Sequence, residues 1–153
     1  MKRKNGPLRV PRTRDMLLPL AIGVARKISL ENHLALAIIQ TGKGTPESMI
    51  ALLRTLYMTY FLMERNISEA EVESFREVEA ALDESIRAAD GGHDWRVCAE
   101  RIPAIERMLL LFDDVISSAP KYRFVEAWQK MGKFVHSPDQ SPLPGSRVLD
   151  IWE

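Results

Sequence analysis

The sequence has a single cysteine, Cys98, only three histidines, and no apolar run long enough to cross a membrane. One cysteine excludes an intrachain disulfide and a cysteine metal cluster, and it suits a reducing compartment. The most apolar stretch, Met49 to Met63, covers 15 residues and includes Arg54, which is too short for a membrane-spanning helix. We therefore expect a cytoplasmic protein with no membrane partner.

The sequence also has none of the motifs that usually reveal an enzyme or a cofactor site. None of its histidines, His33, His93 and His136, stands in the helical pattern of a zinc or di-iron site. No G-x-S-x-G elbow surrounds a serine, and the glycines of residues 41–45 lack the spacing of a phosphate-binding loop. We predict no catalytic residue, no metal site and no cofactor, and hence a protein that is not an enzyme.

The net charge is zero, but the charges are distributed unevenly along the chain. Residues 1–27 contain eight Lys or Arg and a single acid, whereas residues 64–114 contain 14 acids and six arginines. Such asymmetry can mark a nucleic-acid arm, an interaction surface, or self-association of opposite ends. It is also compatible with a solvated helix face and a soluble tail.

The first 14 residues have no apolar periodicity and contain two prolines. We predict a flexible basic arm over residues 1–14. Its cations could neutralise nucleic-acid phosphates without reading base sequence, and the contact residues would be Lys2, Arg3, Lys4, Arg9, Arg12 and Arg14. The arm has no aromatic side chain on which bases could stack, which argues against a preference for single strands.

Residues 15–135 have the apolar periodicity of a helical bundle. Asp15 or a neighbour begins the first predicted helix, with Pro19 in the opening turn, where a missing N–H is tolerated. Ser29 then caps a second helix over residues 30–41. Two separate helices are therefore expected before the glycines of the following turn.

The third predicted helix begins with Thr45 as its cap and Pro46 in its first turn, and it extends to about Arg65. Its apolar residues lie nearly all round the helix. A helix of this kind is buried on all sides. We expect it at the centre of the bundle or shared with another subunit.

Three further helices are predicted in the acidic middle and after it. A capping-box pattern at Ser68 and Glu71 begins the fourth, which has a strong apolar stripe. Asp94 caps the fifth, over about 95–117, where Pro103 should introduce a kink or split the helix near Arg101. The sixth covers about 121–134. Cys98 falls on the apolar side of the fifth helix, so we expect it in the core.

Short connections between amphipathic helices favour an antiparallel arrangement. We predict an all-α fold, an antiparallel bundle of five to six helices with a flexible basic N-terminal arm and a Pro/Ser-rich C-terminal tail. Residues 136–153 should form a linker, which includes SPDQSPLPGS at 137–146, and an apolar tail. The tail side chains Leu149, Ile151 and Trp152 need a groove on their own bundle, which is favoured, on a second copy or on another protein.

Three blocks of the sequence carry a resemblance to known proteins: RVPRTRDMLLP at residues 9–19, SLENHLAL at 29–36 and TGKG at 41–44. They resemble a group of short uncharacterised proteobacterial proteins, some labelled Fis-family transcriptional regulators, over about the first third of the chain. The resemblance implies a bacterial cytoplasmic protein, and the label implies a C-terminal helix-turn-helix. This chain instead ends in a Pro/Ser-rich stretch and an apolar tail, so no Fis residue role is carried over.

Three functional hypotheses follow from these features. The first is a non-enzymatic helical interaction or regulatory protein that self-associates or docks a protein partner. The second is an accessory nucleic-acid-binding protein that acts through the basic arm, whose binding would weaken steeply with salt. The third is an enzyme or ligand carrier with a pocket in the bundle, which a polar cluster around Tyr57, Tyr60, His33 or Arg54 would favour.

Overall fold

The computed structural model describes residues 12–148, which fold into six α-helices with no β-strand among them. The helices are α1 (Arg14–Leu17), α2 (Ile22–Gln40), α3 (Pro46–Met63), α4 (Glu69–Asp90), α5 (Ile102–Ser118) and α6 (Lys121–Val135). Short 3-10 turns, Glu64–Asn66 and Ala99–Arg101, precede α4 and α5. The predicted all-α bundle of five to six helices is confirmed.

The central helix is α3, which packs against α2, α4, α5 and α6. Its buried apolar side chains include Met49, Leu52, Leu56, Met58 and Leu62. Each such side chain contributes about 1.5–3 kcal/mol when it leaves water. The expectation that the helix with apolar residues all round lies at the centre of the bundle is therefore confirmed.

Side-chain caps fix where α3 and α4 begin. Thr45 Oγ1 accepts a hydrogen bond from Ser48 N (3.2 Å), and Ser48 Oγ accepts one from Thr45 N (3.3 Å), so the two residues form a reciprocal capping box. Ser68 Oγ accepts from Glu71 N at the start of α4 (3.2 Å). Its hydroxyl also donates to Glu71 Oε1 (3.0 Å), so the Glu71 carboxylate binds the hydroxyl rather than the backbone.

The prediction of two helices separated at Ser29 is wrong, because α2 continues through this residue. Side chains on both sides of Ser29, such as Ile28 and Asn32, contribute to one inward face with a single helical register. Packing of that face outweighs the modest preference of serine for helix ends. The helix therefore extends from residue 22 to residue 40.

The predicted position of Pro19 is also wrong, since α1 ends at Leu17 and Pro19 lies outside any helix. Pro19 instead forms an isolated β-bridge with Pro120. The backbone N–H of Lys121 donates to Leu18 O (2.7 Å). The connection between α1 and α2 is thereby held against the start of α6.

Of the two outcomes expected at Pro103, the split near Arg101 is found and the kink is absent, because α5 begins at Ile102 and Pro103 occupies its first turn. A proline there removes no helical hydrogen bond. Residues 93–98 are consequently not helical, and Asp94 caps no helix. Cys98 lies in this irregular segment and is exposed, so the expectation of a core cysteine is wrong.

The stretch that the sequence indicates as a linker is packed against the bundle over its described part. Leu143 is 2% exposed, and Ser141, Ser146 and Val148 are also buried. Arg76 of α4 donates from Nε to the carbonyl of Pro144 (2.6 Å). Residues 141–148 therefore form a structural part of the domain, and the linker prediction is wrong for residues 141–146.

Candidate functional site

The basic residues proposed to contact nucleic acid lie mostly outside the described residues, which include only Arg12 and Arg14. The Arg12 guanidinium stacks over the Tyr122 ring, 3.7 Å from its centroid, and Nη2 lies 3.3 Å from Glu126 Oε1. Arg12 is thus engaged with α6, while Arg14 is exposed. The roles of Lys2, Arg3, Lys4 and Arg9 stay predictions.

The predicted docking residues of the tail, Leu149, Ile151 and Trp152, also lie outside the described residues. The residues just before them follow α4. Val148 is buried, and Arg147 forms an ion pair with Glu73. The chain therefore runs along its own bundle at least as far as Val148.

The outward face of α2 carries a row of exposed, mainly apolar side chains. We call it the outer seam: Lys27, Leu30, Leu34 and Ala37, all exposed. Leu30 is 68% and Leu34 is 54% exposed. The alternating spacing of three and four residues places these side chains in one line along the helix, on the side opposite the buried Asn32, Ala35, Leu36 and Ile39.

The positive side chains around the outer seam lie near the beginning of α2. Arg26 and Lys27 lie near its beginning, while its first turn has no acid and its last turn no base. At the other end of α2, the carbonyls of Ala37, Ile38 and Ile39 accept hydrogen bonds from the backbone N–H groups of the following turn. The seam is therefore positive near its beginning, and its end carries no free negative group over the described part of the chain.

A cavity of about 310 Å³ lies between α2, α3, α5 and α6. Its apolar walls are formed by Ile28, Met58, Phe112, Phe124 and Trp128, and its polar side chains are Glu31, Asn32, Arg54 and Thr55. This volume is at the lower end of the range for small-molecule sites, about 300–1,000 Å³. The predominance of apolar side chains with a few polar groups is also typical of such sites.

The polar wall of the cavity contains a buried amide with an unused donor. Asn32 is 5% exposed, and its Oδ1 accepts a hydrogen bond from Thr55 Oγ1 (3.0 Å). The Thr55 hydroxyl also lies 2.8 Å from the carbonyl of Ala51. Asn32 Nδ2 is buried without a partner among the described residues, and an unpaired buried donor costs about 1–3 kcal/mol.

Two charged side chains at the same cavity are also uncompensated. Arg54 of α3 and Glu31 of α2 both line it, and both are exposed. Neither forms an ion pair with any residue in the range 12–148. The third sequence hypothesis named Arg54 as a marker of a polar cluster, and the structure places it beside Asn32 and Thr55.

A second buried polar cluster joins α4 to the C-terminal segment. Glu79 is 1% exposed and accepts hydrogen bonds from the hydroxyls of Ser141 and Ser146. Burial, followed by the negative charge of Glu79, raises the pKa of Tyr57 well above its usual range. Sequence analysis missed this cluster, although one signal was present: Glu79 stands on the apolar face of α4, one turn after Phe75.

The histidines do not form a metal site. His33 Nε2 lies 2.8 Å from Asp113 Oδ2, which links α2 to α5. Over residues 12–148, no three His, Cys, Asp or Glu side chains are grouped as metal ligands would be. The same part of the chain has no helix with the length and apolar character needed to cross a membrane.

Comparison with known proteins gives no relative: no family model, curated protein or solved structure matches the chain. The resemblance of its first third to proteins labelled Fis-family regulators therefore stays a prediction. Any functional assignment has to come from the surfaces and cavities described above.

Proposed function

We propose that this chain is a non-enzymatic helical interaction protein that self-associates through the outer seam of α2. The observation that carries the proposal is the row formed by Leu30, Leu34 and Ala37 on the solvent side of a fully helical segment. The apolar surface of α3, which suggested a helix shared between two subunits, is buried inside the bundle. The exposed apolar surface lies on α2 instead.

The placement of Leu30 and Leu34 favours a second copy in antiparallel orientation. A two-fold axis midway between Leu30 and Leu34 would pack Leu30 against the partner's Leu34, and the reverse. The surface is thus complementary to itself through its two leucines.

The neighbouring helix adds to the apolar area. Asp113 of α5 contacts His33 of α2, and Leu110 lies one turn before Asp113 and is exposed. This leucine therefore lies on the α5 side of the outer seam. A stable interface buries about 800 Å² on each partner, and α2 is about 28 Å long at 1.5 Å for each of its 19 residues, so α2 and the α5 edge together are needed.

The proposal is tested by light scattering after size-exclusion chromatography over a concentration series. We expect a dimer that becomes a monomer in the Leu30→Glu variant, because each leucine is used twice across the axis. Each buried leucine contributes about 1.5–3 kcal/mol, so dissociation should be at least about 100-fold easier. Val135→Glu, on the equally exposed end of α6, is the matched control and should stay dimeric.

A wild-type protein that is monomeric at the highest concentration would refute self-association. A dimer that Leu30→Glu and Val135→Glu leave intact would place the interface elsewhere. We also place the protein in the cytoplasm, because its one cysteine is an exposed free thiol, which suits a reducing compartment. No observation on the described residues favours nucleic-acid binding over self-association.

A further inference from the structure

We propose that the cavity between α2, α3, α5 and α6 binds a small zwitterion with an aromatic body, such as an aromatic α-amino acid. The inference does not rest on self-association, because the cavity is formed within one chain by α2, α3, α5 and α6. Two features of the cavity carry it: its aromatic walls and its two charged side chains, which form no ion pair among the described residues.

The aromatic body is indicated by the walls. Phe112, Phe124 and Trp128 line the cavity together with Met58. Aromatic rings pack favourably against one another edge to face or in an offset stack, and thioether sulfur also contacts rings well. Trp128 remains 52% exposed although it lines a cavity, so a ring bound beside it would remove apolar surface from water.

The zwitterionic head is indicated by the charges. Arg54 is a cation without an ion pair among the described residues, and Glu31 is an anion that also has no ion pair among them. A guanidinium is well suited to bind a carboxylate, and a carboxylate accepts from an ammonium. A ligand with one group of each sign would compensate both residues, whereas a simple acid or a simple amine would compensate only one.

Titration calorimetry with the full chain tests the proposal. The probes are L-phenylalanine, 3-phenylpropionate, which lacks the ammonium, and 2-phenylethylammonium, which lacks the carboxylate. We expect saturable binding of L-phenylalanine at one site per chain. Each analogue should bind more weakly by about fivefold, the range expected for a partly exposed ion pair.

Variants make the assignment of each charge specific. Arg54→Leu should weaken L-phenylalanine and 3-phenylpropionate by about fivefold but leave 2-phenylethylammonium unchanged, and Glu31→Gln should do the converse. Arg107→Leu and Glu106→Gln alter exposed charges of α5 that do not line the cavity and should change nothing.

Three results would overturn the proposal. The first is the absence of binding for all three probes at millimolar concentration, which would show that the cavity does not bind this class of ligand. The second is equal affinity for the three probes. The third is an equal effect of the α5 control variants, which would show a general charge effect rather than a site. Arg54 and Glu31 are both exposed, so their substitutions remove no core side chain and leave the fold intact for the test.

Discussion

The hydroxyl of Ser141 donates a 2.5 Å hydrogen bond to Oε2 of Glu79, a carboxylate that is almost fully buried. Ser146 donates to the other oxygen. A buried carboxylate is costly unless its oxygens accept hydrogen bonds. These two serines therefore stabilise the charge on α4 and at the same time hold the C-terminal segment on the bundle.

Replacing Ser141 with alanine should destabilise the protein by about 1.5–3 kcal/mol, the range for a hydrogen bond to a charged group. The substitution removes the donor to Glu79 and also the acceptor of the Leu143 N–H (3.1 Å). The measurement is urea unfolding followed by circular dichroism. Ser117→Ala, which removes only an exposed hydroxyl bonded to Asp114 O, should stay within about 0.5 kcal/mol. Equal losses in both variants would contradict the proposed role of Ser141.

The helices were largely predictable from the sequence, because apolar periodicity and caps act locally. The cap at Thr45 and the central position of α3 are examples. The errors arose where distant residues decide the outcome. Ser29 was expected to cap a helix, but packing on both sides extends α2 through it. The fifth helix was expected to begin after Asp94, but it begins at Ile102.

The C-terminal segment is a clearer case in which distant residues decide the local structure. Proline and serine between residues 137 and 146 are typical of a linker. The partner that orders these residues, Glu79, lies more than 60 positions earlier in the chain. No local pattern connects the two, so the segment could be assigned only from the three-dimensional structure.

Truncating Leu143 to alanine should cost about 2–4 kcal/mol, because it removes a fully buried side chain from the core. A flexible linker residue would cost nothing. For a chain of this size, the loss corresponds to a fall in Tm of roughly 2–4 °C per kcal/mol, measurable by calorimetry. Val135→Ala, at an exposed position, is the control. An unchanged Tm for Leu143→Ala would show that the segment does not contribute to stability.

Cys98 should react with a thiol reagent in the native protein, since its side chain is exposed in the segment before α5. Labelling with Ellman's reagent is expected to reach one thiol per chain without denaturant. Reactivity requires access to the thiolate, so a buried cysteine would react only after unfolding. A reaction that needs denaturant would place Cys98 in the core, as its apolar neighbours first indicated. The Cys98→Ser variant, which has no thiol, is the negative control.

The cavity was only partly predictable. Arg54 is a charged residue within an apolar helix, and this signal in the sequence correctly indicated a position that lines the cavity. Asn32 carried no such signal, because an asparagine among apolar residues of α2 is compatible with an exposed position. Its burial depends on the approach of Thr55 from α3, which periodicity along one helix cannot show.

Tyr57 should make the protein less stable at alkaline pH. Burial, followed by the charge of Glu79, raises the pKa of Tyr57 above its usual value, which is about 10 in an unfolded chain. Above pH 10 the unfolded chain therefore releases this proton while the folded protein keeps it. Stability contributed by neutral Tyr57 is complete below pH 10 and falls above it, by up to about 1.4 kcal/mol per pH unit.

The Tyr57→Phe variant isolates this effect, because phenylalanine has no proton to release. Urea unfolding at pH 8, 10 and 11 should show that the stability advantage of the wild type over the variant shrinks as the pH rises. Lysines and the other tyrosines titrate in both proteins, so their contributions cancel in the difference. Parallel pH curves would mean that Tyr57 ionises equally easily in the folded and unfolded chains, and that neither its burial nor Glu79 affects it.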